Sequence, residues 1–141
     1  MSGLDQMLRL QRWALDEKRR QATDLEALIE RLHGDVKRLA DEVVREVEVA
    51  RNDVELARAL PDYKRMMAER RQRIEKSIAD LSVELDKLRE QIMEAFGELK
   101  KTEQTIQNRL QRQRVAQRRR EQIRADEVGL NSHRRKKDQQ L

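Results

Sequence analysis

The amino-acid sequence predicts an all-α fold, a long antiparallel two-helix coiled-coil hairpin over residues 1–130. Three observations carry this expectation. Apolar residues recur at alternating steps of three and four. Charged residues make up 42% of the chain and aromatics only 2%, which leaves little with which to build a thick globular core. The single proline, Pro61, divides two apolar runs of similar length. A narrow apolar stripe on an otherwise charged chain is the pattern of a long helix that needs a partner. The absence of cysteine excludes disulfides, thiolate metal sites and thiol nucleophiles. The longest apolar stretches run to about three residues, too short for a membrane span or a signal-peptide core, so a cytoplasmic chain is expected.

The first helix is expected over residues 3–59, capped by Ser2. Its seam begins with Leu4, Leu8 and Leu15, with Gln11 and Lys18 at the intervening positions. It continues through Ala22, Leu25, Ile29, Leu32, Val36, Leu39 and Val43. Val43 to Val47 repeats the step of four, a stutter that unwinds the supercoil locally without breaking the helix. Ala50, Val54 and Ala57 resume the alternation. Gly34 lies within the run and costs about 1 kcal/mol against alanine, but the phase is kept across it.

The turn is expected at residues 60–62. Pro61 lacks an N–H, its ring clashes with the preceding turn, and it drives Leu60 out of the helical region. Proline is at ease as the first residue of a new helix. The second helix then covers about 62–128, with a seam of Met67, Ile74, Ile78, Leu81, Leu85, Leu88, Ile92, Phe96 or Ala95, Leu99, Ile106 and Leu110, fading into Gln113 and Gln117. Gly129 is positioned to cap it in a left-handed conformation, with Leu130 just beyond. Residues 131–141, "NSHRRKKDQQL", read as a basic flexible tail. A short connection makes antiparallel neighbours. A fold-back at 60–62 sets Leu15 opposite the Ile106 region and Leu25 opposite the region of Phe96 and Leu99. The competing arrangement is one long kinked helix that dimerises.

No reaction chemistry is legible. There is no glycine-rich phosphate loop. His33 and His133 are too far apart in sequence to read as a metal pair, and Asp16–Glu17 and Asp41–Glu42 sit among basic neighbours as solvated helix charges. The chain reads as a non-enzyme without metal or cofactor. Two features lie off the seam. Trp13 is nearly opposite the Leu8/Leu15 side, as a docking residue or as a ring packed on a neighbouring arginine stem such as Arg9. Val49, Leu56 and Leu60 form a stripe beside the proline, either a contact patch or packing of the tip on itself around Tyr63 and Met66. A third feature is "RLQRQRVAQRRREQIRADE", residues 109–127. Its seven arginines, Arg109, Arg112, Arg114, Arg118, Arg119, Arg120 and Arg124, point widely around the helix axis.

Three segments together resemble a family. "MLRLQRWALDEKRR" (7–20) is similar to the opening of the flagellar type III export protein FliJ. "DYKRMMAERRQRIEKSIADL" (62–81) resembles the family's tyrosine-led middle segment. "FGELKKTEQTIQNRLQRQRVAQRRREQIRADEVGL" (96–130) resembles its C-terminal stretch. The resemblance covers nearly the whole chain and extends to the related YscO-like secretion stalk proteins. It implies a stalk-like antiparallel coiled coil whose terminal end sits in the ring of the export ATPase. The residues placed there are Leu4, Leu8, Trp13 and the seven arginines. It further implies a tip contact with the cytoplasmic domain of the export-gate membrane protein, where Tyr63 and Met66 match the gate-binding region and the Val49, Leu56 and Leu60 stripe lies beside them, and the handing over of export chaperones. Family members often carry aliphatic residues where Arg70 and Arg73 stand here.

Two other readings stay open, a nucleic-acid-binding basic helix and a general coiled-coil scaffold or chaperone. Residues 1–60 carry 11 basic and 13 acidic side chains, and residues 100–141 carry 13 basic and 5 acidic. The chain is therefore basic at one end only. A basic zipper places its basic region before the heptads, whereas here it comes after them. Stacking aromatics are absent from the arginine-rich stretch. No specific nucleic acid is therefore expected.

Overall fold

A computed structural model describes residues 3–140. It contains two α-helices, α1 (Gly3–Ala50, 48 residues) and α2 (Val54–Gln139, 86 residues), with no strand among the described residues. The helices pack as a hairpin, and no described helix is long and apolar enough to cross a membrane. The expected Ser2 cap lies outside the described residues. By contact density the chain divides into two units, Met1–Gln11 with Gly97–Leu141, and Arg12–Phe96.

In the unit Arg12–Phe96 the α1 seam is covered as the periodicity requires. Leu15, Ala22 and Ala50 are buried, and Leu25, Ile29, Leu32, Val36, Leu39, Val43 and Val47 are half-buried, the stutter included. From α2, Met67, Leu85 and Leu88 are buried, with Ile74, Ile78, Leu81, Ile92 and Ala95 half-buried. The densest packing joins Ala22, Leu85 and Leu88, against which Leu25, Ile29 and Ile92 lie. Each fully buried leucine contributes about 1.5–3 kcal/mol. Ala95 takes the seam position, and Phe96 stays 43% exposed. Outside this stripe the surface is laced with ion pairs within one helix, such as Arg20–Glu17, Arg38–Asp35 and Arg71–Glu75. Exposed pairs of this kind are worth little individually.

In the unit Met1–Gln11 with Gly97–Leu141, Leu99 and Thr102 are buried, and Leu4, Leu8, Gln11 and Ile106 are half-buried. Thr102 occupies a seam position. Its hydroxyl donates to the Glu98 carbonyl at 3.1 Å, which satisfies it locally. Gln11 Oε1 is buried without a hydrogen-bond partner, the cost of an amide in an apolar seam.

The turn is at Arg51–Asn52–Asp53, not at residues 60–62, and α1 stops at Ala50 rather than Ala59. Asp53 explains the shift. Its carboxylate Oδ1 accepts from the Glu55 and Leu56 amides at 3.0 and 3.2 Å, and its carbonyl accepts from the Ala57 amide at 2.9 Å. This is an N-cap, worth about 1 kcal/mol. The α1 end is closed by the Arg51, Asn52 and Asp53 amides, which donate to the carbonyls of Glu48, Val49 and Ala50 at 3.3–3.4 Å. Pro61 consequently lies two turns inside α2. There it supplies no donor for the Ala57 carbonyl, at a typical cost near 3 kcal/mol. Val54 and Ala57, expected on the α1 seam, are exposed in the first turn of α2.

The earlier turn also moves the register. Glu26 Oε1 accepts from Arg89 Nη2 at 3.2 Å, and Leu25 packs on the Leu85–Leu88 cluster. These partners lie about three helical turns nearer the turn than the expected region of Phe96 and Leu99. At the other end α2 does not stop at Gly129, which has an ordinary helical φ. The tail expected to fray is helical as far as Gln139. It is rich in good helix formers, and Lys136 and Lys137 in its last turn complement the helix dipole.

Candidate functional site

The arginine-rich arm belongs to the unit Met1–Gln11 with Gly97–Leu141. After Ile106 every described residue is exposed except Ala116, which is half-buried. Leu110, in phase with the seam, is 47% exposed. The arm is a single helix held by its own backbone and by amide pairs such as Gln104–Asn108, Gln117–Glu121 and Gln122–Asp126 at 3.0–3.4 Å. Successive side chains advance by about 100°. Arg109, Arg112, Arg114, Arg118, Arg119, Arg120 and Arg124 therefore fan around the axis. Among the described residues none of these seven enters an ion pair or side-chain hydrogen bond within the chain. In the unit Arg12–Phe96, by contrast, Arg19, Arg20, Arg38, Arg51, Arg65, Arg71 and Arg89 pair with carboxylates, although among the described residues Arg31, Arg45, Arg58, Arg70 and Arg73 do not. The difference is one of supply, since Glu121, Asp126 and Glu127 are the only acids between Arg109 and Gly129. Seven guanidinium forks thus stand ready for an external acceptor, and each can hold a carboxylate or phosphate in two parallel hydrogen bonds.

The N-terminal candidates divide. Leu4 and Leu8 are half-buried in phase with the seam, so their apolar surface is largely spent inside their own unit. Met7 and Leu10, which the periodicity set aside, are 47% and 66% exposed in that unit. Their off-seam phase was the signal that could have singled them out. Trp13, in the other unit, is 66% exposed, so its ring is largely uncovered.

At the tip of the unit Arg12–Phe96, Leu56, Leu60 and Tyr63 come together with Glu46, Ala50 and Ala59 around a shallow recess. Leu60 and Tyr63 are half-buried in it, and Leu56 is 39% exposed. Val49 and Met66 do not line the recess and are 53% and 51% exposed. Val54, at 71%, is the most exposed apolar side chain of the tip, and sequence reasoning missed it by assigning it to the α1 seam. The Tyr63 phenol is held above its ordinary value of 10.0, first by desolvation and then by the carboxylates of Glu46 and Glu42. The expected stripe is thus part packing and part open surface. Among the described residues no group of three or more His, Asp and Glu side chains is placed to hold a metal.

Comparison with protein-family models, curated proteins and solved structures finds no match to this chain.

Proposed function

We propose that the chain is a non-enzymatic stalk and adaptor of a flagellar type III protein export apparatus. It works in the cytoplasm, peripherally associated with the basal body at the membrane. The arm docks in the ring of the export ATPase. The tip residues Val49, Leu56, Leu60, Tyr63 and Met66 contact the cytoplasmic domain of the export gate, and export chaperones are handed over. The observation that carries this reading is the bare arm, a single helix with arginines on all sides and, among the described residues, no carboxylate paired with any of the seven. A flat surface engages one face of such a helix, whereas a ring engages every face. The segments similar to FliJ supply the choice of ring.

The same bare arginines favour a second reading, a basic helix that binds nucleic acid through its phosphates. Capture of partners from the native cytoplasm at low and high salt, with and without nuclease, separates the two. The stalk reading expects an ATPase to be recovered regardless of nuclease, with binding weakened by salt. Recovery of nucleic acid that persists near physiological salt, with no ATPase, overturns it.

A further inference from the structure

We propose that the hairpin has two registers, related by an eleven-residue slip of α1 along α2 that carries the turn from 51–53 about five to six residues toward Pro61. Three observations motivate this. Pro61 lies inside α2, although its ring and missing N–H suit a helix start. Val54 and Ala57 continue the α1 seam in phase, yet they are exposed in α2. Leu110 continues the α2 seam beyond its last covered residue, Ile106, and stays 47% exposed.

A single rearrangement resolves all three. If α1 extends past Val54 and Pro61 falls in the first turn of α2, the proline has no preceding turn to clash with. Val54 then comes opposite Met67, and Leu110 comes opposite Gln11 within its unit. The slip keeps apolar residues paired because eleven residues are three helical turns. Val47 moves opposite Ile74, Val43 opposite Ile78, Val36 opposite Leu85 and Ile29 opposite Ile92. The observed register is held locally, by the Asp53 cap, the three amide bonds closing α1, and the recess of Leu56, Leu60 and Tyr63. Cap and proline thus oppose one another across seven intervening residues. Anything that grips the recess favours the turn at 51–53, and losing that grip favours the turn nearer Pro61. The proposal does not depend on the identity of the partners.

The chain contains no cysteine, so engineered pairs report without background. Val43 and Met67 line one groove in the observed register. V43C/M67C therefore reports that state, and V43C/I78C reports the slipped one. The two partner positions on α2 are about 16 Å apart, so one register cannot close both bonds. In a glutathione redox buffer both pairs are expected to close within one chain. P61A should lower closure of V43C/I78C at least threefold and raise that of V43C/M67C, and D53A should do the reverse. V47C/I74C is a second reporter of the slipped state, and circular dichroism of each reduced variant checks that it is helical. If V43C/M67C closes but neither slipped-state pair closes within one chain in the D53A background, the hairpin has one register and the proposal fails. Closure that ignores both P61A and D53A would overturn it equally.

Discussion

At the scale of single residues, helical phase decides which side chains the seam covers, and two residues are about 200° apart around the axis. Leu85 is 6% exposed and belongs to the densest packing, whereas Val83, two residues before it, is 55% exposed. Leu85→Ala should destabilise by about 2–5 kcal/mol, while Val83→Ala should stay within about 0.5 kcal/mol. Urea titration monitored by circular dichroism distinguishes them, and equal losses would mean that the seam is not packed. Asp53→Ala should cost about 1 kcal/mol in the same titration by removing the cap. Pro61→Ala should instead stabilise, by up to about 3 kcal/mol, because it restores the donor for the Ala57 carbonyl. A destabilised Pro61→Ala variant would contradict the position of the proline inside α2. Most seam residues were legible from steps of three and four, since burial on a two-helix interface depends on phase alone. Thr102 was not, because its seam position is polar and its hydroxyl is satisfied within its own helix turn.

At the scale of elements, the helices were legible and their ends were not. On local propensity Pro61 outweighs Asn52–Asp53 as a break, although that pair joins two turn formers and its aspartate can cap a helix starting at Val54. A cap is worth less than the cost of an internal proline. The turn at 51–53 nevertheless also gathers Leu56, Leu60 and Tyr63 into a recess, a tertiary gain that local propensity does not record. Gly129 misled similarly, since a glycine permits a left-handed cap without requiring one. The tip is where a binding test belongs. Under the proposed stalk function, Val49→Ser with Leu56→Ser should weaken binding to the export gate by at least several-fold while helicity is unchanged, because both side chains are substantially exposed. If the melting temperature falls and the remaining folded protein binds as before, these side chains serve tip packing alone.

For the whole molecule, charge rather than fold distinguishes the two units. Carboxylates pair with Arg19, Arg20, Arg38, Arg51, Arg65, Arg71 and Arg89 in Arg12–Phe96, while among the described residues none of the arm's seven arginines enters an ion pair. Under the proposed stalk function, charge reversal at Arg118, Arg119 and Arg120 should abolish most ATPase binding and any stimulation of hydrolysis, with a weaker salt dependence in the residual binding. Gate binding through the tip, which lies in the other unit, should persist. An unchanged ATPase interaction together with lost, salt-resistant RNA binding would transfer the arm to the nucleic-acid reading. The composition alone makes the basic end plain. The shortage of acids beside its arginines is equally plain, since only Glu121, Asp126 and Glu127 lie between Arg109 and Gly129, but which of these carboxylates would pair was not legible, because that depends on rotamers.

The exposure of Trp13 has a practical consequence. It is the only tryptophan, and two-thirds of its surface faces solvent. Its emission should therefore already lie at the long wavelengths of a hydrated indole and barely move when the helices melt. Fluorescence would then be nearly blind to unfolding and sensitive to any partner that covers the first turns of α1. A shift to shorter wavelength on mixing, with unchanged circular dichroism, would report docking at that end without a label.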